Sequence, residues 1–168
     1  MGDEIKNKVA ESGLITLDLE AFLPASDIVE FDIRSFLFMD QILREREFRE
    51  NLALHDWEKY REKHVAVYCS VDAIIPAWAY MSIAVHLSDI ARSVYQGSAA
   101  EMLKDLIIES IRELDPSLYK DKRLLIKGCG AKGIDAYAYL EMTMKLKSVV
   151  KTIMYGEACS AVPVYKRK

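Results

Sequence analysis

Six residues have the chemical types and positions from which a site could be built: Cys69, Cys129, Cys159, His55, Asp72 and Gly130. Cys69 ends the apolar run HVAVYC, Cys129 ends RLLIKGC, and Cys159 follows IMYGEA. Three thiolates and the imidazole of His55 would make a tetrahedral donor set that suits zinc. No CxxC pair supports that assignment by spacing, and cysteine also packs commonly as a small buried hydrophobe. A third reading makes one thiol a nucleophile, lowered in pKa by the helix start that follows it. Asp72 lies in the loop after Cys69, where it could touch a ligand or shape the turn. Gly130 belongs to GCGAKG, a loop that could cradle a phosphate but lacks the GK[ST] ending, and whose glycines also permit a tight turn.

The elements that must position these residues come from a repeated grammar of strand, loop, helix and strand. Residues Ala77 to Ala100 align without a gap onto Ala136 to Cys159, with six of 24 pairs identical. A one-residue deletion in the preceding loop then brings Cys69 onto Cys129. Strand–helix alternation predicts a mainly parallel, doubly wound α/β sheet built from two tandem βαβ repeats, about 64–97 and 124–156. The strands ending at Cys69 and Cys129 are expected side by side, with a ligand crevice at the C-terminal edge between them. An N-terminal strand pair (Leu14–Leu19, Ile28–Ile33) and a charged helix near Met39–Leu54 precede the repeats. Ser98 and Glu101 have capping-box spacing and open a helix that ends at Leu114, before Asp115-Pro116. Pro76 and Asp135 suit the starts of the two repeat helices. Both of those helices are apolar around much of their surface, which predicts burial between a sheet and other elements.

The chain has 168 residues, 51% of them hydrophobic, a net charge of −3 and a pI near 5.7. This predicts one globular domain over residues 1–168 and argues against a nucleic acid partner, which needs a basic face. The longest apolar run, Ile74 to Val85, is too short to cross a bilayer and contains Pro76, so no membrane partner is expected. The charged N-terminus has no apolar signal core, which predicts a cytoplasmic protein with free or metal-bound thiols. Arginine is missing six residues after Cys69 and Cys129, where Ile75 and Asp135 stand, so cysteine phosphatase chemistry is not supported. His86 matches Lys145 in the repeat and reads as solvent-facing, and Tyr80 and Tyr139 read as equivalent core aromatics. The Glu45–Glu50 charges read as a solvated helix face.

The segments SGLITLDLE, HDW, CSVDAIIPAWAYM, KGC and IMYGEACSAVPVYKRK together resemble a bacterial family known as domain of unknown function 2480. The resemblance spans nearly the whole chain and implies a cytosolic bacterial protein with a single-domain boundary. It brings no activity and no catalytic residues. The expected function is therefore a small-molecule or metal-binding protein, with zinc as the possible ion, whose site lies among the strand-end cysteines. The alternative is a non-catalytic, homo-oligomeric interaction or scaffold protein with packed cysteines.

Overall fold

A computed structural model describes residues 13–128, 134–157 and 159–168. It is α/β, with four α-helices and two largely parallel sheets. The chain falls into two compact units. One comprises Pro24–Leu103, and the other comprises the residues up to Leu23 together with Lys104–Lys168.

The Pro24–Leu103 unit holds a three-stranded parallel sheet in the order β2-β3-β4, formed by Ile28–Asp32, His64–Tyr68 and Ser93–Gln96. Helix α1 (Glu45–Leu54) precedes β3, and α2 (Ala77–Leu87) links β3 to β4. The core unites Phe31 of β2, Val65 and Val67 of β3, Phe48 and Leu52 of α1, and Ala79, Ile83 and Leu87 of α2. Alternation along a strand and spacing of four along a helix put these residues on single inward faces.

The other unit carries β1 (Leu14–Asp18), β5 (Arg123–Lys127), β6 (Thr152–Tyr155) and β7 (Val162–Lys166), in the order β1-β5-β6-β7. Helix α4 (Ala136–Leu146) links β5 to β6 and buries Ala138, Met142 and Leu146. Strand β7 runs antiparallel to β6 at the sheet edge, with a register shift between Ile153 and Met154 where Pro163 pairs, and edges and bulges are where sheets tolerate proline. Helix α3 (Ala99–Glu113) opens on the expected capping box: the Ser98 amide donates to Glu101 Oε2 at 2.8 Å, and the Glu101 amide to Ser98 Oγ at 3.3 Å.

Several expectations are corrected. The strands before Cys69 and Cys129, β3 and β5, lie in different sheets, so there is no single doubly wound sheet. The N-terminal strands do not pair with each other, because β1 adds to β5 and β2 adds to β3, both in parallel. Each ends in an aspartate whose carboxylate accepts from the amide two residues on, Asp18 from Glu20 and Asp32 from Arg34, both at 3.0 Å. That local bond turns the chain into a 3-10 turn instead of a hairpin. The helix expected from Met39 starts only at Glu45, since Met39 and Asp40 have positive φ angles. Pro76 occupies the position before α2, and Asp135 makes no side-chain cap on α4. The Glu45–Glu50 charges do form ion pairs along exposed α1, Arg49 with Glu45 and Arg46 with Glu50.

The two β-α-β units share one register at a constant spacing of 59 residues, His64 facing Ser93 in one and Arg123 facing Thr152 in the other. No deletion is needed, and the counterpart of Cys69 is Gly128, not Cys129. A Cβ built on Gly128 would lie 3.0 Å from Leu19 Cβ and 3.0 Å from the Tyr139 hydroxyl. A side chain there would have to push these neighbours back by a few tenths of an ångström.

Candidate functional site

The residues expected to share one sheet edge are distributed differently. Cys69 is half-buried at the end of β3 and packs partly against the core of its unit, while Cys159 is exposed in the turn between β6 and β7. Cys129 and Gly130 lie outside the described residues. Asp72 is exposed in the loop after β3. Among the described residues no group of three or more His, Cys, Asp or Glu side chains is placed to hold a metal ion.

His55 follows α1 and enters an aromatic cluster. Its ring lies edge-on to Trp57 at 4.9 Å, Phe36 at 5.3 Å and Phe31 at 5.5 Å, and its Nε2 is 3.3 Å from the Tyr60 hydroxyl. Trp57 stacks on Phe31 at 5.5 Å and on His86 at 4.7 Å, nearly parallel to both. His86 is therefore half-buried against an indole instead of facing solvent. The HDW motif thus supplies a packing unit: Trp57 inserts between two rings and ties down α1 by donating Nε1–H to the Leu52 carbonyl at 2.9 Å.

Burial pushes the His55 pKa down, helped by Lys59 and His86 and opposed by Asp56. Burial also lowers His64, with Arg92 adding to the effect. An unfolded chain takes up protons at these positions near the ordinary histidine value of about 6.5. The folded chain takes them up only at lower pH, so the native state is disfavoured as pH falls through that range. Stability should therefore be full above about pH 6.5 and decline as the pH falls below it. A melting temperature that does not fall with it would contradict this assignment.

At the C-terminal edge of β2-β3-β4, Asp32 is committed to structure. Burial pushes its carboxyl up, but bonds from Ser70 and the Arg34 amide outweigh it and leave the pKa below the usual carboxylate range. The Ser70 amide donates to Asp32 Oδ1 at 3.0 Å, pinning the loop after Cys69. The corresponding Asp18 accepts from the Glu20 amide and pairs with Lys127 at 3.0 Å. Both carboxylates thus hold the chain segments that follow or flank their strands.

The open surfaces lie beside the crossover helices. Val67, Tyr80, Met81, Ala84, Val94 and Gln96 line a groove of about 300 Å³ in the Pro24–Leu103 unit. In the other unit a groove of about 310 Å³ is walled by Ile126, Tyr139, Leu140 and Thr143, each 59 residues on from a residue lining the first groove. Tyr155, Met144 and Val164 of β7 extend it. Tyr80 and Tyr139 are both half-buried and wall these grooves, and Tyr80 also packs against the core of its unit.

Each crossover helix buries only one stripe. Its flank stays apolar and open: Met81 and Val85 on α2 are 67% and 72% exposed, Leu140 and Met144 on α4 are 61% and 72% exposed. Tyr155, Val162 and Val164 extend the second patch onto β6 and β7. All-round hydrophobicity was therefore a sign of an exposed apolar flank and not of burial on both sides. Among the described residues no charged side chain lines either groove.

Among the described residues no helix is long and apolar enough to cross a membrane. Comparison with curated proteins and with solved structures gives no match. Residues 3–167 match the family described as protein of unknown function (DUF2480), and the chain belongs to that family.

Proposed function

We propose that the protein is a non-catalytic interaction protein that associates with a second copy of itself through the α4–β6–β7 patch. The observation that carries this reading is the pair Leu140 and Met144, one helical turn apart and mostly exposed beside an uncharged groove. Large contiguous apolar patches are costly to leave in water and mark contact surfaces. A two-fold contact needs a surface complementary to itself, and a ridge beside a groove meets that need when rotated onto its copy. Strand β7 enlarges this patch with Val162 and Val164, whereas α2 has no such addition, so α4 is the favoured face. The constant spacing of 59 residues and the matching grooves support reading the two β-α-β units as copies of one structural repeat.

Sedimentation tests the association. The wild-type chain should sediment as a dimer at roughly 100 µM, while a Leu140→Glu, Met144→Glu variant should be monomeric and keep its melting temperature. A monomeric wild type at that concentration would overturn the proposal.

A further inference from the structure

The two β-α-β units differ at the outer edge of their last strand. Strand β6 is covered on that side by β7, which runs antiparallel to it. The matching strand β4 ends its sheet, and among the described residues no strand pairs with its outer side. The side chains register the difference: Ile153 of β6 is 1% exposed, whereas its counterpart Val94 is 39% exposed. Every residue lining the groove beside β4 has its counterpart, 59 residues on, in the lining of the groove beside β6. The second groove adds Met144 and, from β7, Val164. The same wall therefore stands open in one unit and carries a strand in the other.

The backbone repeats the correspondence. The Gly97 amide donates to the Val67 carbonyl at 3.0 Å, and the Gly156 amide to the Ile126 carbonyl at 3.1 Å. Alternate residues of a strand aim their backbone groups to the same side, so those of Val94 and Gln96 point away from β3. Where β7 leaves the sheet, the Arg167 amide donates to the Lys151 carbonyl at 2.9 Å and its guanidinium pairs with Asp121. The counterparts of these two acceptors are the carbonyl of Arg92 and the exposed carboxylate of Glu62. An open strand edge is a template for pairing with another chain, and the covered edge specifies what that chain must offer. It is an extended, antiparallel segment with an aliphatic side chain at the place of Val164, above Tyr80 and Met81. A basic residue past its end reaches Glu62.

We infer that the outer edge of β4 takes up an extended segment of a partner protein, with the pattern aliphatic-x-aliphatic-aromatic-basic-basic that β7 shows from Val162 to Arg167. The chain's own copy of this pattern is already paired with β6, so a different protein must supply the segment. The edge lies in a different unit from the α4 flank, and its test does not depend on self-association.

The probe is the synthetic peptide AVPVYKRK, the sequence of Ala161–Lys168, titrated into the full chain labelled with ¹⁵N and with ε-¹³C-methyl methionine. A peptide with aspartate in place of both valines is the control. The Val94 and Gln96 amides and the Met81 methyl should shift saturably with the probe and not with the control. The Met144 and Met154 methyls should stay fixed, because β7 holds that edge. Val94→Lys should abolish binding without lowering the melting temperature, since the position is open to solvent in the free chain. Glu62→Ala should weaken binding about threefold, as for one exposed ion pair. Absence of saturable shifts, equal shifts with the control, or unchanged affinity in Val94→Lys would overturn the assignment. So would shifts at Met144 and Met154 in place of Met81, which would mean that the peptide competes with β7. Val94 and Gln96 amides that move on dilution of the chain alone would make a second copy the occupant and also overturn it.

Discussion

Phe31→Ala should destabilise the Pro24–Leu103 unit by about 3–5 kcal/mol, the range for deleting a buried phenyl ring. Phe31 is 2% exposed near the end of β2 and stacks on Phe36 at 5.0 Å as well as on Trp57. Its removal would leave a cavity bounded by stiff rings that cannot collapse around it, which places the cost toward the top of that range. It would also leave Trp57 without one of its two stacking faces, loosening the contact through which the HDW segment meets His86. Equilibrium urea unfolding measures the loss. A change below about 1 kcal/mol would contradict the central place given to this ring.

Gly128→Val should cost about 1–3 kcal/mol or more, because the added atoms meet the Leu19 side chain and the Tyr139 hydroxyl at less than normal contact distance. Leu19 is fully buried and its Cβ is fixed to the backbone, so it cannot swing aside. The corresponding position in the other unit, Cys69, already accommodates a side chain. Cys69→Ala should therefore cost only on the order of 1 kcal/mol. Thermal unfolding of the two variants side by side tests the matched registers. Equal losses would argue against Gly128 being the constrained counterpart of Cys69.

Much of the local structure was legible in the sequence. The capping box at Ser98 and Glu101, the stripes of the crossover helices and the short β-rich runs at His64 and Arg123 all signal through near neighbours along the chain. Sheet membership was not legible, because nothing local in LITLD or IVEFD states which distant strand each will join. Both segments end in aspartate followed by an apolar residue, and the side chain's bond to the backbone turns them away from hairpin pairing. The cysteines drew attention by type, yet one offset error aligned Cys69 with Cys129 and concealed that Gly128 is the matching position. The strand at Val162–Lys166 went unrecognised because Pro163 interrupts its pattern, although proline is tolerated at a sheet edge.

The candidate surface was also hidden by a general inference. Apolar residues around a helix suggest burial on all sides, and the sequence cannot reveal that one flank of α4 faces no other element. The partner of Asp121 was invisible for a related reason, because Arg167 reaches it across 46 positions of sequence.

The proposed association through α4 is tested residue by residue with ε-¹³C-methyl methionine spectra recorded on dilution from about 1 mM to about 10 µM. Met144 lies on the exposed flank, whereas Met102 and Met142 are buried within the fold. The Met144 resonance should move with concentration along a single binding curve while those of Met102 and Met142 stay fixed, and Leu140→Glu should abolish the movement. A Met144 resonance independent of concentration in the wild-type protein would contradict self-association through this face.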